Sequence, residues 1–396
     1  MLEFLFWTCV FIVFYTYIGY GIILYGLVKL KELFHKPKTI NQVPDEELPD
    51  VTLLVAAYNE EEVVRAKMNN SQALDYPADK LKFVWVTDGS TDRTCELLSE
   101  YKRVQVLHQP LRSGKTAALN RAMMHVNTPI VVFTDANTLI NKEAIREIVK
   151  CFSDPTVGCV AGEKRVTGEN TTGNAGRGEG LYWKYESTLK KLDSRLYSAM
   201  GAAGELFAIR KELFEKMPNN TLLDDFILSM RIVSRGYKIA YQPHAFACEN
   251  GSANMHEEEK RKIRIAAGGL QSIARLYPLL NPFRHGIVTF QYISHRVLRW
   301  SVTPIALFAL PILNVAVLCT NTGKFSPLYL LTMIGQLSLF LMAAAGSQQE
   351  RAGKRSKLLY IPYYFLFMNT NVLKGYVYLY KRRKGENGAW EKSLRA

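Results

Sequence analysis

Two apolar stretches of this chain each stop on an aspartate. Phe83–Thr87 is followed by Asp88, and Ile130–Thr134 is followed by Asp135. Short runs of β-branched and aromatic residues are typical of strands buried in a parallel sheet. Ligands of open α/β sheets bind beyond the carboxyl ends of such strands, so both carboxylates are expected where a nucleotide would lie. The alternative is that each aspartate caps the next helix or begins a turn.

The residues around Asp135 suit a donor that carries a diphosphate. The charge of a diphosphate is neutralised by a divalent metal, which is commonly held by one or two carboxylates together with substrate and water. Asp135, with Asn137 two residues later, offers such a hold. A bound metal also acts as a Lewis acid that stabilises a departing diphosphate.

The doublet Asp224-Asp225 begins a predicted helix that ends at Gly236. Transfer to a hydroxyl needs a general base, and a carboxylate at a helix start suits that role. An ordinary aspartate has a pKa of about 3.9, so this base would be ionised and weak unless position and partial desolvation made it effective. The alternative for the doublet is an N-cap that the helix dipole favours.

Strands alternate with helices in the part of the chain that positions these residues. The first strand, Val51–Ala57, leads into Tyr58-Asn59-Glu60 and an acidic helix start. The alternation predicts a parallel sheet with right-handed crossovers. The chain has no Gly-x-Gly-x-x-Gly after its first strand, and Arg112–Thr116 holds only the end of a phosphate-binding loop, so an ATPase is excluded.

Less regular elements follow Asp135. They are a strand pair in Val157–Val166, a mobile loop over Gly168–Gly180, an amphipathic helix over Leu181–Leu196 and a charged helix over Met255–Tyr277. In Gly201–Arg210, small residues lead into a strand and allow a ligand to approach closely. Arg261 and Arg264 on the charged helix are most simply part of a solvated face.

Three long segments are free of charge and can span a membrane. No charged residue lies between Glu3 and Lys29, between Arg299 and Lys324, or between Lys324 and Glu350. A helix needs about 20 apolar residues to cross roughly 30 Å of hydrocarbon. The charged and mixed middle of the chain is therefore predicted to be a soluble domain between membrane segments.

The first segment is expected to be a retained anchor, because it lacks the basic start and the cleavage motif of a signal peptide. Lysines follow it, and the positive-inside rule places them and the central domain in the cytoplasm. The last apolar stretch, Leu358–Tyr380, contains Pro362, Asn369 and Lys374 and precedes a basic cluster. It is predicted to be interfacial or re-entrant rather than a further crossing.

The chain is basic, with a formal net charge of +14. From Glu350 onward there are 11 Lys and Arg against 3 Glu, a local net charge of +8. This charge predicts attraction to anionic membrane lipid, and nucleic acid is not expected as a partner because no nucleic-acid motif appears. Six cysteines without metal or redox spacing indicate a reducing compartment.

In their joint order, these motifs resemble those of a membrane-bound family 2 glycosyltransferase, of the group that includes hyaluronan, cellulose and poly-N-acetylglucosamine synthases. The resemblance covers about Val51 to Arg299 and the flanking membrane segments. It implies an α/β fold in which a Rossmann-like nucleotide-diphospho-sugar transferase domain, with a mostly parallel sheet and helices on both faces, is flanked by transmembrane helices. It also implies inverting transfer from a nucleotide sugar, expected to be UDP-linked, with Mg²⁺ or Mn²⁺ as cofactor.

The resemblance assigns roles on the donor side of the site. Asp88 matches an aspartate that contacts uridine, Lys115 a lysine near the donor, and Asp135 the first aspartate of the Asp-x-Asp metal motif. Arg264 matches the arginine of Gln-x-x-Arg-Trp. The entry loop that holds the nucleotide base is matched by four consecutive residues, Ala57, Tyr58, Asn59 and Glu60.

On the acceptor side, Gly201–Arg210 resembles the segment that lines the acceptor site, with Gly204 and Glu205 as the lining residues. Asp225 matches the final aspartate of Thr-Glu-Asp, which is the proposed base. Asp224 takes the place of the glutamate in that motif and is also expected to line the acceptor site.

The chain departs from the family pattern in three ways. Asn137 replaces the second aspartate of Asp-x-Asp, which leaves the metal role of this position open. Arg261-Lys262-Ile263-Arg264-Ile265 stands where processive synthases have Gln-x-x-Arg-Trp. About three crossings also offer little room for a sugar channel within one subunit. These departures weaken the case for processive polymer synthesis.

The expected function is an inverting glycosyltransferase of the cytoplasmic (inner) membrane that serves polysaccharide or glycoconjugate synthesis, with a carbohydrate or lipid-linked acceptor and possible export or co-synthase subunits. One alternative is single addition onto a polyprenyl or glycerolipid acceptor. Others are a nucleotidyltransferase that makes sugar nucleotides and a non-enzymatic membrane scaffold.

The chain is predicted to have five regions. They are an anchor (1–30), a linker (31–48), a cytoplasmic catalytic domain (49–285), two transmembrane helices after an interfacial segment (286–349) and a basic region with the interfacial or re-entrant segment and a basic tail (350–396).

Overall fold

The computed structural model describes residues 1–35, 43–167, 174–252, 254–320, 326–353 and 356–383, and the side chains of 174–182 are not described. The predicted basic tail after Arg383 therefore lies outside the described residues. Eight strands form one sheet: β1 (Val51–Ala57), β2 (Leu81–Asp88), β3 (Val104–Gln109), β4 (Ile130–Asp135), β5 (Leu139–Ile140), β6 (Val157–Thr167), β7 (Leu206–Arg210) and β8 (Lys238–Asn250).

Fifteen α-helices accompany the sheet in the described ranges. Those before the third strand are α1 (Leu2–Phe14), α2 (Tyr20–Phe34), α3 (Glu61–Gln72) and α4 (Thr94–Ser99). The central ones are α5 (Lys115–Ala122), α6 (Ala144–Cys151), α7 (Asn174–Leu196), α8 (Asp224–Ser234) and α9 (Met255–Arg275). The last are α10 (Pro282–His285), α11 (Ile287–Tyr292), α12 (Leu298–Trp300), α13 (Val302–Thr320), α14 (Pro327–Arg351) and α15 (Lys357–Arg383).

The sheet has the order β3-β2-β1-β4-β7-β6-β8-β5 and is mixed rather than mostly parallel. Its first half is parallel, as predicted, because β2, β1 and β4 are joined by helical crossovers. Strand β7 is antiparallel to both of its neighbours, and β5 is antiparallel to β8. The α/β class is confirmed, and β7 marks the change of direction.

The predicted strand pair in Val157–Val166 is wrong, because the structure has the single strand β6 there. The two glycines of this strand, Gly158 and Gly162, are sites of close packing. A Cβ at Gly158 would lie 2.6 Å from side-chain atoms of Ile232 and Leu213. Gly162 stands at an irregularity in the pairing of β6 with β8. Glycine inside a strand often marks close approach or a bulge in this way.

The predicted loop over Gly168–Gly180 is also wrong in part. Helix α7 begins at Asn174, seven residues before the predicted start at Leu181. The glycines between Asn174 and Leu181 lower the helix propensity of this stretch, but extending an existing helix costs less free energy than starting a new one. Residues 168–173 lie outside the described part of the chain.

The register of the parallel strands aligns the strand-end aspartates. Asp135 pairs with Ala56 of β1, and Ala57 pairs with Thr87, the residue before Asp88. Both faces of the sheet are covered, since all seven residues of β1 are buried. The two aspartates therefore end at the same edge of a buried sheet, as the sequence predicts.

Among the described residues, three helices are long and apolar enough to cross a membrane: Leu2–Phe34, Val302–Thr320 and Pro327–Arg351. They coincide with the three uncharged segments of the sequence. The segment after them, α15, is one continuous helix, so it does not form a re-entrant turn. Its placement at the membrane interface stays a prediction.

Helix α15 packs along α9 of the central domain. Tyr364 donates a hydrogen bond to Oε1 of Glu258 (3.0 Å), and Lys374 forms an ion pair with Glu259. A Cβ at Gly375 would lie 2.7 Å from the Cβ of Ala266, so the two helices approach closely where both residues are small. The last apolar segment is therefore part of the wall of the central domain.

A buried polar cluster joins the first membrane helix to the central domain. Asp193 accepts hydrogen bonds from the hydroxyl of Tyr20 and from Nε2 of Gln291 (3.0 Å), and its Oδ2 lies 2.5 Å from Nδ1 of His295. Glu186 lies 2.6 Å from Arg296 and 2.9 Å from Arg299. Buried charges need such partners, because an unpaired charge in the interior is strongly destabilising.

We predict that Gly375→Leu destabilises the packing of α15 on α9. The new side chain must displace the backbone of α9, and overpacking of this kind costs about 1–3 kcal/mol. Thermal unfolding of the detergent-solubilised protein measures the change. The matched control is Gly335→Leu in α14, where an added Cβ meets no atom of the described residues within 4 Å. Equal melting temperatures for the two variants would contradict the close contact.

Candidate functional site

A cavity of about 590 Å³ opens at the carboxyl ends of β1 and β4. Alternate residues at the end of β1 line it, namely Ala56, Tyr58 and Glu60. The predicted residues Ala57 and Asn59 do not line it. Ala57 is the last residue of β1, where successive side chains alternate between the two faces of the sheet, and Asn59 lies beyond the strand. Only two of the four predicted entry-loop residues therefore line the cavity, and Ala56 was missed.

Asn59 instead fixes the loop that follows β2. Its backbone has a positive φ of 52°, which asparagine tolerates better than most residues. Its N–H donates to Oγ of Ser90 (3.1 Å), and its Oδ1 accepts from the N–H of Thr91 (2.8 Å). The residue thus ties the end of β1 to the end of β2.

Asp88 lies behind the cavity, with its side chain fully buried. Its Oδ2 accepts hydrogen bonds from the backbone N–H groups of Ser113 (3.0 Å) and Gly114 (2.6 Å). Its Oδ1 accepts no hydrogen bond from the described residues and lies 4.0 Å from Arg121. Asp88 therefore shapes the loop before Lys115, and its contact with a nucleoside stays a prediction that depends on Oδ1.

Lys115 begins α5 directly after this loop and points at the tip of β4. Its Nζ donates to Oδ1 of Asp135 at 2.7 Å, and both residues line the cavity. Burial alone would lower the pKa of Lys115, but the carboxylates of Asp135 and Asp224 outweigh it and hold this pKa above its ordinary value. The lysine stays charged and is surrounded by carboxylates from two parts of the chain.

Lys67 on α3 joins the end of β4 to the loop that follows this strand. Its fully buried Nζ donates to Oγ1 of Thr134 (2.9 Å) and to the carbonyl oxygen of Thr138 (2.6 Å). Burial lowers the pKa of Lys67 to about 7, although Asp135 opposes this shift. No local pattern predicts this role, because a single lysine in a polar helix is typical of a surface residue.

The residues at the tip of β4 fit a divalent metal that is shared with a substrate. Asp135 and Asn137 both line the cavity, and Oδ2 of Asp135 accepts no hydrogen bond from the described residues. Within the described ranges, no three His, Cys, Asp or Glu side chains cluster to form a metal cage. Mg²⁺ is ordinarily bound through one or two carboxylates plus substrate phosphates, which is the arrangement that these oxygens allow.

Asp224 and Asp225 occupy the first turn of α8 and line the cavity. Leu223 is the N-cap residue of this helix, so neither aspartate is its N-cap, although Oδ1 of Asp225 accepts a hydrogen bond from the N–H of Phe226 (2.8 Å). Burial raises the pKa of Asp225 to about 7, with Asp224 adding to the shift and Lys115 opposing it. A carboxylate with this pKa is a stronger base at neutral pH than an ordinary aspartate.

Because Gly204 has no side chain, the loop before β7 can approach Asp225 and Lys115 closely. A Cβ at Gly204 would lie 3.4 Å from Oδ2 of Asp225 and 3.6 Å from Nζ of Lys115. Glu205, the next residue, also lines the cavity, and its Oε1 lies 2.5 Å from Nζ of Lys164. Burial alone would raise the pKa of Glu205, but Lys164 holds it below its ordinary value.

The expected solvated face of α9 is wrong for its basic residues. Arg261 and Lys262 are buried, and both form ion pairs with Glu258, because α15 covers this side of the helix. Arg264 lines the cavity, and its buried Nε makes no hydrogen bond with any residue that the structure describes. Its position is the one expected for a group that binds a donor phosphate.

The cavity continues beyond the predicted residues toward the membrane helices. Its wall there includes Tyr17 of the first membrane helix and Phe365 and Met368 of α15. Tyr17 donates a hydrogen bond to Oδ1 of Asn369 (2.6 Å), and its ring centroid lies 4.9 Å from that of Phe365. No sequence signal pointed to this wall, because it forms only when distant helices meet.

Glu249 is a lining residue that the sequence could have revealed. It stands at the end of Ala245–Cys248 in β8, so it follows the same pattern of strand and terminal carboxylate as Asp88 and Asp135. Its Oε1 accepts a hydrogen bond from Nδ2 of Asn137 at 3.4 Å. The remaining lining residue of note, Trp183 on α7, carries no such signal.

The sheet and its strand-end cavity define the class of nucleotide-sugar transferase folds. Residues 49–268 match the family model described as glycosyltransferase like family 2. Because this match covers more than half of the chain, the chain belongs to that family.

Relatives and solved structures agree with this membership. The poly-beta-1,6-N-acetyl-D-glucosamine synthase of Staphylococcus aureus (strain COL) is 27% identical over 249 residues, which are 60% of this chain and 59% of that protein. A probable glycosyltransferase, YdaM of Bacillus subtilis (strain 168), is 27% identical over 259 residues, 59% of each chain. The chain thus spans about three fifths of the length of these curated relatives.

A solved structure shares the fold over almost the whole chain. It is the mannosyltransferase PcManGT from Pyrobaculum calidifontis in complex with GDP-Man and Mn²⁺, with a TM-score of 0.70 and 22% identity. The similarity covers 97% of this chain and 100% of that one, including the membrane helices. At this identity it establishes the fold and no more.

We predict that Asp225→Asn raises the melting temperature of the ligand-free protein at pH 8. The raised pKa means that the folded state binds the Asp225 proton more tightly than the unfolded state does, so the ionised carboxylate destabilises the fold above about pH 7. The destabilisation disappears toward pH 4, where both states are protonated. Each kcal/mol of destabilisation that the substitution removes should raise the melting temperature by about 2–4 °C.

Calorimetry at pH 8 and pH 5 measures the effect, which should shrink at the lower pH. The control is the exposed Asp79→Asn, for which no change is expected at either pH. A melting temperature for Asp225→Asn below that of the wild type at pH 8 would contradict the destabilising charge.

Proposed function

We propose that this protein is an inverting glycosyltransferase that moves a sugar from a nucleotide-sugar donor, expected to be UDP-linked, to a hydroxyl acceptor at the cytoplasmic face of the membrane. The observation that carries this function is a single cavity that joins Asp135 and Lys115 to Asp225. Lys115 and Asp135 would bind the diphosphate and a metal in one half of the cavity, and Asp225, a carboxylate of raised pKa, adjoins that half. Transfer of a sugar from a diphosphate needs charge neutralisation of the leaving group as well as a base for the acceptor hydroxyl.

The donor half would bind the nucleotide sugar through its charges. Lys115 and Arg264 both line the cavity and carry positive charge toward the diphosphate. Tyr58, whose ring lies 3.8 Å from the guanidinium of Arg112, offers a flat surface for the nucleotide base. Asp88 and Asn59 hold the two loops that shape this half.

Asp135, with Asn137 as a further oxygen donor, would hold Mg²⁺ or Mn²⁺. A bound metal would supply charge neutralisation of the departing diphosphate. PcManGT was solved with GDP-Man and Mn²⁺, which supports the use of a divalent cation by this fold. Lys115 already neutralises part of the charge of Asp135, so the metal and lysine would act side by side.

Asp225 would act as the general base. It accepts the proton of the acceptor hydroxyl while the hydroxyl oxygen bonds to the anomeric carbon of the sugar. The bond from that carbon to the diphosphate breaks, and the electron pair leaves with the nucleoside diphosphate. Attack from the face opposite the leaving group inverts the anomeric centre. Asp224 and the Gly204-Glu205 loop would line the acceptor next to this base.

The acceptor would reach the site along the wall formed by Tyr17 and α15. This wall contains apolar side chains such as Phe365 and Met368 and adjoins the membrane segments. It favours an acceptor with a lipid portion, such as a polyprenyl or glycerolipid carrier, alongside a growing carbohydrate chain. The synthase relative from Staphylococcus aureus supports a role in polysaccharide or glycoconjugate synthesis.

Orientation follows from charge. Lysines after the first apolar helix, and the basic stretch after Glu350, support an orientation in which the central domain (49–285) lies on the cytoplasmic side of the inner membrane. The basic end of the chain would hold anionic lipid. Three candidate spans leave little room for a channel in one subunit, so export of a polymer would require partner subunits.

Two alternatives are less favoured. A nucleotidyltransferase would need a glycine-rich activating loop near β1 and no membrane anchors, whereas three candidate spans flank this domain. A non-enzymatic scaffold would not be expected to retain Asp135, Lys115 and Asp225 around one cavity.

A donor screen tests the function. We expect the purified protein to release a nucleoside diphosphate from one of UDP-glucose, UDP-N-acetylglucosamine, UDP-galactose or GDP-mannose, and only with Mg²⁺ or Mn²⁺. Release is measured with and without EDTA. No release from any donor, in native membranes as well as in detergent, would refute the function.

In the same assay, Asp225→Asn should abolish transfer, because the amide cannot accept the proton. Donor binding, measured by calorimetry, should stay within about threefold of the wild type, since the donor half is unchanged. Full activity of this variant would refute the role of Asp225 as base.

We also predict that kcat/KM falls with decreasing pH, with a midpoint near 7 rather than near 4. Asp225 must be ionised to act, and its pKa is raised to about 7 by burial, with Asp224 and Glu205 raising it and Lys115 lowering it. The variant Asp224→Asn removes one of the raising charges and should move the midpoint to lower pH. An acid limb that does not respond to Asp224→Asn would contradict the assignment.

A further inference from the structure

A buried ionic network lies under the cavity and links its two halves. Its centre is Lys164 on β6, whose side chain is 1% exposed. The Nζ of Lys164 lies 2.5 Å from Oε1 of Glu205 and 2.6 Å from Oε2 of Glu249. The glutamates belong to different elements, the loop before β7 and the end of β8. One ammonium group therefore holds two cavity-lining carboxylates.

Glu249 extends the network to the tip of β4. Its second oxygen, Oε1, accepts the hydrogen bond from Nδ2 of Asn137. The amide of Asn137 is a donor, whereas an ionised aspartate at 137 would be an acceptor and would face the carboxylate of Glu249 at a similar distance. The identity of residue 137 is thus matched to a carboxylate that is 112 positions away in the chain.

Glu205 extends the network to the loop beside the proposed base. The neighbouring Gly204 approaches Asp225 and Lys115, and the carbonyl oxygen of Glu205 accepts a hydrogen bond from Oγ1 of Thr134 (2.9 Å). The loop is therefore fixed through both its side chain and its backbone.

Each charge of the network has a close partner of opposite sign, which allows the group to be buried. Glu249 brings a carboxylate within hydrogen-bonding distance of Asn137, which lies two residues after Asp135. A carboxylate at this place attracts a divalent cation.

We propose that Lys164 and Glu249 are positioning residues for the proposed transfer reaction. They orient Asn137 toward the donor metal and hold the Gly204-Glu205 loop against Asp225, and Glu249 places a carboxylate next to the uncharged Asn137. This inference rests on the proposed function, because it assumes a nucleotide and metal at Asp135. Neither residue touches the reacting atoms.

An exchange of the two interacting groups provides the test. Asn137→Asp alone brings two carboxylates into contact, and Glu249→Gln alone removes the negative charge of residue 249. The double variant Asn137→Asp with Glu249→Gln restores one carboxylate and one amide with their positions exchanged. We expect each single variant to weaken binding of the nucleoside diphosphate with Mn²⁺ about tenfold, as is usual for groups behind a metal ligand. The double variant should recover to within about threefold of the wild type.

Calorimetry with Mn²⁺ and either UDP or GDP, whichever the wild type binds, supplies the measurement without any turnover. Melting temperatures verify that each variant is folded. Asn141 and Glu143 form a matched control outside the cavity, since Nδ2 of Asn141 donates to Oε2 of Glu143 at 3.2 Å on the exposed surface. The same exchange there should leave nucleotide binding unchanged.

Losses that add in the double variant, to about a hundredfold, would overturn the proposal, since independent sites give additive effects. Unchanged binding in both single variants would overturn it as well. A wild type that binds neither UDP nor GDP with Mn²⁺ would instead refute the proposed function, and the inference with it. A second readout is Lys164→Arg, which keeps the charge and should bind the nucleotide at least fivefold more tightly than Lys164→Met.

Discussion

The ion pair between Lys115 and Asp135 is the contact on which the geometry of the cavity depends. Asp135 is the last residue of the central strand β4, and Lys115 is the first residue of α5. The loop before α5 is held in place by its hydrogen bonds to Asp88. The same lysine lies near the carboxylates of Asp224 and Asp225, which are in the first turn of α8. One ammonium group thus balances acidic side chains from both halves of the domain, and its loss would leave them to repel one another.

Burial of charge governs the surroundings of this pair. Lys164 and Glu258 lie in the interior, and each has an oppositely charged partner within hydrogen-bonding distance. These partners come from separate elements, so the ion pairs fix the elements relative to one another as well as neutralising charge. Arg264 differs from these two residues, because its buried Nε has no hydrogen-bond partner in the described part of the chain. An unsatisfied cation in a cavity is suited to an anionic ligand.

The first apolar helix, which is a candidate membrane span, and α15 both contribute to the wall of the cavity. Helix α15 covers the charged side of α9, and Tyr17 meets Phe365 at the end of the cavity. The wrong expectation of a solvated face on α9 has this physical cause. Charge along a helix predicts exposure only when no other element covers it, and the covering helix lies about a hundred residues later in the chain.

The sequence by itself determined the parallel strands, the aspartates at their ends, the helix that begins at Asp224 and the three apolar segments. These are local patterns, in which burial on both faces or membrane length dictates residue type over a short stretch. Only the tertiary structure decided that Ala57 and Asn59 do not line the cavity, that Glu249 meets Asn137, and that α15 closes the wall. Those outcomes depend on side-chain direction and on contacts between distant segments, which no local pattern records.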